Sequence, residues 1–170
     1  MKKVLLAALA VVMMAGASFA ATPIQLSLWD KLALPPSDEV YGLEIGIGNN
    51  LSEIKGIQWN FIWSETSNGI GWQAGFLTRV TGEFTGLKTG FINWNEGTVK
   101  GVEFGFVNID KNFTGLAVGA VNYAENLTGV QLGFFNYAKS ATDFAIQIGL
   151  VNYLGNSLIY EWFPFINVKF

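Results

Sequence analysis

The chain has 170 residues, of which 51% are apolar, 15% aromatic and only 14% charged, and its formal net charge is −3. That length fits one domain with a sizeable core, and the excess of acidic over basic residues excludes nucleic acid as the expected partner. The absence of histidine and cysteine excludes histidine-based catalytic pairs, histidine metal sites and disulfide bonds.

Residues 1–20 have the pattern of a secretory signal peptide. Two lysines precede an apolar run from Val4 to Met14, and Ser18 and Ala20 occupy the positions that a cleavage site after Ala20 requires. The run is shorter than the roughly 18 residues that a membrane-spanning helix needs. An uncleaved anchor is the alternative interpretation. Residues 21–170 keep eight basic and thirteen acidic residues, so the exported chain would carry a formal charge near −5.

Residues 21–40 break the pattern of the rest of the chain and are predicted to form an N-terminal cap. They contain Pro35 and Pro36, which cannot continue a central strand because proline has no backbone N–H for the ladder. Such a segment would cover the first open edge of a sheet and block pairing with another chain. At the other end, residues 162–170 form a degenerate further unit, rich in aromatic residues.

Residues 41–170 are predicted to form one β-repeat domain of tandem units. Eight units align on the pattern glycine, apolar, any, apolar, glycine, apolar, apolar, asparagine, at spacings of 14 to 16 residues. They begin at Gly42, Gly56, Gly71, Gly86, Gly101, Gly115, Gly129 and Ala145. Short polar stretches between units, such as residues 95–97 and 110–112, are expected to be turns.

Residues within each unit alternate with period two, which predicts β-strands. In the unit from Gly129, the side chains of Val130, Leu132 and Phe134 point to one side and that of Gln131 to the other. We expect the apolar side to be buried and the polar side to meet water or a packed neighbour. The polar positions are Glu44, Gln58, Gln73, Lys88, Glu103, Gln131 and Gln147.

Two architectures fit strands of this kind. The favoured one is a β-solenoid, in which each unit is a coil stacked about 4.8 Å above the last, in parallel and in register. The alternative is an antiparallel outer-membrane β-barrel of about 8 to 10 strands, with the apolar side facing lipid and Glu44, Lys88 and Glu103 lining the lumen. The terminal Phe170 supports the barrel, because a terminal aromatic residue resembles the assembly signal of outer-membrane barrels.

The asparagines and glycines that recur in the units are predicted to be architectural. In a solenoid, identical positions meet, so the asparagines would form a ladder of mutually bonded amides at a bend. Turn chemistry is the alternative, since asparagine tolerates left-handed backbone. In a meandering barrel the asparagines would alternate between opposite rims, so their strict repetition favours the solenoid. The predicted structural ladder comprises Asn93, Asn108, Asn122, Asn136 and Asn152 with Gly105, Gly119, Gly133 and Gly149.

These tandem units, with the preceding PPSDEVYGL and the closing PFINVKF, resemble a family of bacterial surface-repeat proteins built from GLQIGLVN-type units of about 14 residues. The resemblance covers most of residues 35–170. Asn60, Trp63 and Thr78 depart from it by replacing an expected glycine and two expected asparagines. The family is largely uncharacterised, and the resemblance implies export and a surface location rather than an activity.

No catalytic, cofactor-binding or metal-binding motif is present, since the sequence lacks G-x-S-x-G, P-loop and calcium-loop patterns. We therefore predict an exported, non-enzymatic repeat protein without a cofactor, which acts as a structural or interaction module at the bacterial surface or outer membrane. Its partners would be the outer membrane or other surface proteins. The periplasm is the alternative location, and a small outer-membrane barrel with a transport or anchoring role is the alternative function.

Overall fold

The computed structural model describes residues 21–30, 32–158 and 160–170, and all regular elements within them are β-strands. The strands are β1 (Thr22–Trp29), β2 (Leu32–Leu34), β3 (Glu39–Val80), β4 (Glu83–Phe104), β5 (Val107–Val118), β6 (Val121–Leu132), β7 (Phe135–Leu154) and β8 (Trp162–Lys169). The predicted signal peptide, residues 1–20, lies outside the described residues. Within the described ranges, no helix is long and apolar enough to cross a membrane.

The described strands form one sheet in the order β2-β1-β3-β4-β5-β6-β7-β8. Neighbours from β1/β3 to β6/β7 are parallel, and paired residues lie one unit apart in the sequence, as Asn108 and Asn122 do. The chain therefore winds as a β-solenoid of about nine turns with a spacing of roughly 14 residues. This confirms the predicted solenoid, and the parallel pairing rules out the antiparallel alternative.

Both ends of the stack are closed by antiparallel strands. At the N-terminal end, β1 pairs in parallel with β3 and so adds a coil, while the short β2 runs antiparallel to β1. At the C-terminal end, β8 lies antiparallel to β7 and places Asn167 opposite Gln147. An antiparallel edge interrupts the parallel register that a second stack would have to continue. The segment predicted as an N-terminal cap thus supplies one coil strand and one covering strand.

The strands break at different places from the predicted turns. Strand β4 runs through residues 95–97 and β5 through residues 110–112, both of which the sequence pattern predicts as turns. Three of the breaks fall instead at central glycines, with Gly105 after β4, Gly119 after β5 and Gly133 after β6, whereas β3 ends at Val80, between two units. These three units are bent at their centres, where a residue without Cβ leaves room for the asparagine amides.

The two sides of each unit face the opposite way from the expectation. Gln131 has 0% of its surface exposed, whereas Phe134 is 58% exposed and Val130 and Leu132 are half-buried. All the predicted polar positions, from Glu44 to Gln147, are buried. The prediction that the apolar side is buried is wrong, because it assumed that a polar side chain inside the fold would have no hydrogen-bond partner. In parallel register most of these groups meet a polar partner nearby along the stack, so hydrogen bonds offset the loss of water.

The apolar core comes from residues that the alternating pattern does not select. Part of it is a column two positions before the first glycine of the units, formed by Val40, Ile54, Phe84, Val99, Phe113 and Leu127. Gly69 takes this place in one coil, where Ile54 and Phe84 fill the space that its Cβ would occupy. Full burial of such a side chain contributes about 1.5–3 kcal/mol. These residues always lie two positions before the first glycine of a unit, and this constant offset identifies them in the sequence.

The first glycine of most units packs directly on its counterpart in the preceding coil. Gly115 has a φ of +140°, a conformation that favours glycine, and a Cβ there would lie 1.8 Å from the carbonyl oxygen of Gly101. The same conformation recurs at this position from Gly42 to Gly129, with φ between 127° and 150°. In this conformation a Cβ would push neighbouring coils apart, so this line of glycines holds the coils in register.

Candidate interaction surface

The asparagines of the predicted ladder are hydrogen-bonded to one another inside the solenoid. Each Nδ2 donates to Oδ1 of the next member, at 2.7–2.8 Å, through the series Asn93, Asn108, Asn122, Asn136 and Asn152. Each Nδ2 in the series also donates to a backbone carbonyl oxygen at 3.0–3.2 Å. The amides therefore link the coils along the axis and also bind the backbone at the bend.

The four predicted glycines lie against this ladder. A Cβ at Gly119 would lie 2.8 Å from Nδ2 of Asn108 and 2.6 Å from the carbonyl oxygen of Gly105. At Gly149 it would lie 2.5 Å from Nδ2 of Asn136, and Gly105 and Gly133 have equivalent surroundings. The structure thus brings all nine predicted ladder residues together, and their contacts give them an architectural role.

A second interior column carries the polar residues that lie between the two glycines of a unit. Its members are Gln25, Glu44, Gln58, Gln73, Lys88, Glu103, Ala117, Gln131, Gln147 and Asn167, all fully buried. Neighbouring members bond directly, with Nε2 of Gln73 donating to Oε1 of Gln58 at 3.0 Å and Nε2 of Gln147 donating to Oε1 of Gln131 at 2.8 Å. We call this set the polar column.

Three ionisable side chains meet inside the middle coils. Nζ of Lys88 donates to Oε1 of Gln73 at 2.9 Å and to Oδ1 of Asn95 at 2.6 Å, and Nδ2 of Asn95 donates to both Glu103 and Asp110. Burial lowers the pKa of Lys88 to about 8, although the two carboxylates favour its charged form. Burial also raises the pKa of Glu103 and raises that of Asp110 well above its usual range, where the charge of Glu103 adds to the effect.

The carboxyl groups of this cluster suit a shared proton. Oε2 of Glu103 and Oδ2 of Asp110 are buried and have no hydrogen-bond donor among the described residues. A proton on Asp110 converts one of the two acceptors into a donor, so that the carboxyl groups can bond to each other. The remaining charges, on Lys88 and Glu103, then cancel, and burying a neutral pair is less costly than burying an excess anion. The arrangement therefore favours a protonated Asp110.

Ala117 interrupts the polar column beside this cluster. In register it lies between Glu103 and Gln131. Oε2 of Glu103 and Nε2 of Gln131 both lack a hydrogen-bond partner within the described part of the chain. A buried polar atom left without a partner costs about 1–3 kcal/mol. The break in the column thus leaves Nε2 of Gln131 unpaired on one side, and on the other side Oε2 of Glu103 has no donor except the proton of Asp110.

The outward side of the units forms a largely apolar surface, which we call the apolar face. It comprises three columns: Leu43, Ile57, Trp72, Leu87, Val102, Leu116, Val130 and Ile146; Ile45, Trp59, Ala74, Thr89, Phe104, Val118, Leu132 and Ile148; and Ile47, Phe61, Phe76, Phe91, Phe106, Ala120, Phe134 and Leu150. The middle column is interrupted at Ala74, which is buried, and at Thr89, which is polar and half-buried. Phe61 is 78% exposed and Trp59 is 55% exposed. The face contains no charged residue, and an extended apolar surface of this kind is unusual in a soluble monomer.

Aromatic rings on and beside the apolar face stack along the solenoid axis. Phe76, Phe91 and Phe106 are nearly parallel, with ring centroids 5.1 and 5.0 Å apart. Tyr123 and Tyr137 stack in the same way at 5.2 Å on the neighbouring side of the coil. In-register stacking places equivalent rings one coil apart, which is close to the distance at which aromatic rings attract each other.

Comparisons with protein-family models, with curated proteins and with solved structures found no match for this chain. The resemblance to surface-repeat proteins therefore stays a prediction. Among the described residues, no group of three or more histidine, cysteine, aspartate or glutamate side chains could hold a metal ion. The apolar face is thus the candidate functional site, and sequence reasoning missed it because the same residues were assigned to the core.

The asparagine ladder predicts that replacing two different asparagines of one coil has very different effects on the stability of the protein. Replacing Asn122 by alanine removes the donor to Asn136 and the acceptor for Asn108, and leaves buried polar atoms unpaired. We expect Asn122→Ala to lower the free energy of unfolding by about 2–4 kcal/mol in denaturant titrations. Asn126→Ala is the matched control, because Asn126 bonds to Asn112 in an exposed position. A similar loss in both variants would contradict the ladder's role.

The break in the polar column predicts that Ala117→Gln stabilises the protein. The new amide would donate to Oε2 of Glu103 and accept from Nε2 of Gln131. Gln73 occupies the same column between two long polar neighbours, Gln58 and Lys88, so the column accommodates a glutamine in such surroundings. We expect the free energy of unfolding to rise by about 1–3 kcal/mol. Ala117→Leu, which adds similar bulk without polar atoms, should not be stabilising. A gain in the leucine variant alone would refute the hydrogen-bond explanation.

The charged cluster predicts an unusual pH dependence. Because the pKa of Asp110 is raised in the folded state, its contribution to stability is complete below its ordinary pKa of 3.8 and is lost as the pH rises through the folded value. Asp110→Asn mimics the protonated acid at every pH. We therefore expect this variant to match the wild type near pH 4 and to exceed its free energy of unfolding by about 1–3 kcal/mol at pH 7.

Denaturant titrations at several pH values would check this expectation, with Asp143→Asn as the control. Asp143 is exposed on β7, so its replacement by asparagine removes one negative charge from the surface and leaves the charges in the interior unchanged. Lys88 acts in the opposite direction only in the alkaline range, since its lowered pKa of about 8 makes stability rise with pH between that value and 10.5. An equal gain for Asp110→Asn at pH 4 and pH 7 would show that Asp110 is already ionised at both.

Proposed function

We propose that this protein is an exported, non-enzymatic structural or interaction module of the bacterial surface or outer membrane, and that the apolar face is its interaction surface. The observation that carries the proposal is the exposure of this face in a chain whose interior is lined with amides and charged groups. A solenoid of this design could have faced its polar side chains to water. Its outward columns are instead built from large apolar residues.

The apolar face supports a binding role because leaving it in water is costly. Burial of apolar surface contributes about 25 cal/mol for each Å². Ile57, Trp59 and Phe61 alternate along one coil, and all three are exposed. Apolar residues recur in register at the first and third of these positions on the coils that follow, so the exposed residues form connected columns rather than isolated contacts. A membrane or another apolar protein surface would remove this area from water.

The location of the ionisable groups supports a role other than catalysis. Lys88, Glu103 and Asp110, the residues with the most perturbed pKa values, are fully enclosed and bonded into the architecture of the coil. Perturbed groups in an enzyme are expected in a cleft that a substrate can enter. The predicted signal peptide and the resemblance to surface-repeat proteins support export.

Cell fractionation of a Gram-negative host that exports the full chain tests this proposal. We expect the wild type in the outer-membrane or surface fraction. A variant with Trp59→Ser and Phe61→Ser should move largely into the soluble periplasmic fraction, because both side chains are exposed and their loss weakens only the apolar face. Lys111→Ser with Lys139→Ser is the matched control, since both lysines are exposed outside this face.

Circular dichroism of each purified variant would show that the β-structure is retained. The same distribution for the wild type and for both double variants would contradict the proposal, because the apolar face would then have no effect on location. A wild type found wholly in the soluble periplasmic fraction would contradict it as well.

A further inference from the structure

The column of phenylalanines on the apolar face has one position without a ring. Phe76, Phe91 and Phe106 stack at 5.1 and 5.0 Å with interplanar angles of 9° and 4°. The next coil has Ala120 at this position, and the coil after that has Phe134. Phe106 and Phe134 are both more than half exposed. The stack of rings is thus interrupted between two aromatic side chains.

A pocket of about 560 Å³ opens at this interruption. Phe106 and Phe134 lie at its two ends along the solenoid axis, and Phe104 and Leu132 also line it. Its remaining lining includes the bend glycines, at which a Cβ would collide with the neighbouring coil or with the asparagine ladder. The floor at these positions is therefore bare backbone.

The width of this pocket matches one aromatic ring. Adjacent strands are about 4.8 Å apart, so two coils separate Phe106 from Phe134 by about 9.6 Å along the axis. A ring placed midway would lie about 5 Å from each neighbour, within the range of favourable ring stacking. That spacing repeats the observed distances of 5.1 and 5.0 Å in the intact part of the column.

The N–H groups on the floor of the pocket are already paired. Those of Gly105, Gly119 and Gly133 donate to carbonyl oxygens of the next coil at 3.0 Å. A bound anion would therefore lose water without gaining an N–H donor on this floor. A planar and largely apolar ring, with any polar substituent directed outward, loses little and gains contact on both faces.

We propose that the pocket at Ala120 is a binding site for one small planar aromatic molecule, held between the rings of Phe106 and Phe134. Indole is a suitable probe, because it is neutral, planar and close in size to the missing side chain. The site is open on its outer side, so binding is weak and exchange is fast.

Proton NMR of indole with the purified full chain tests this inference. Ring currents of the two flanking phenylalanines should shift the indole signals upfield, with a stoichiometry of one indole per chain. Ala120→Phe restores the missing ring and should weaken binding at least tenfold. Phe91→Ala creates a gap between Phe76 and Phe106 beside the central glycine of that unit, Gly90, and should raise the stoichiometry to two.

Ala120→Gly is the matched control, because it leaves the gap open and should bind indole as the wild type does. Unchanged binding by Ala120→Phe, or a stoichiometry of one for Phe91→Ala, would overturn the assignment. Binding of N-acetyltryptophanamide without binding of indole would overturn it in favour of a partner's side chain. The measurement uses the isolated protein, so a negative result is separate from a negative result in cell fractionation.

Discussion

Interior side chains of this protein must find their partners along the solenoid axis, because each coil lies one strand spacing from the next in parallel register. Asn108 meets Asn122, and Gln131 meets Gln147. An amide can be repeated in such a column since it both donates and accepts, whereas a repeated charge would repel its copy. Lys88, Glu103 and Asp110 accordingly occur as one group of opposite charges, whereas Glu44 lies apart from them and accepts hydrogen bonds from Ser27, Asn49 and Asn60.

Axial pairing explains why the protein can enclose polar residues and expose apolar ones. Hydrogen bonds within the ladder and the polar column offset the loss of water, and an apolar core on the other side of the coil adds burial energy. The outward side chains of each unit are therefore not needed to fill or stabilise the interior. Its large apolar residues remain available for contact with another surface, and we base the proposed function on this separation.

Positions that depart from the repeat are the most informative ones. Gly69 makes room for Ile54 and Phe84 in the core, so the departure is compensated by its neighbours. Ala117 leaves two unpaired polar atoms in the interior. Ala120 leaves a pocket on the apolar face between two rings. In an in-register stack, a single small residue changes the contacts of the coils on both sides. The consequence for packing and hydrogen bonding depends on whether its column is polar, buried or exposed.

The sequence by itself determined that the chain is all-β and that its units recur every 14 to 16 residues, and it favoured a solenoid over a barrel. Period and phase are enough for these conclusions. Only the tertiary structure decided that the asparagines of successive units bond to one another, that Gln131 faces inward and Phe134 outward, and that the strands break at Gly105, Gly119 and Gly133. The alternation of apolar and polar residues is the same whichever side of the strand is enclosed. Whether a buried amide has a hydrogen-bond partner depends on a neighbouring coil, and a local sequence pattern does not contain that information.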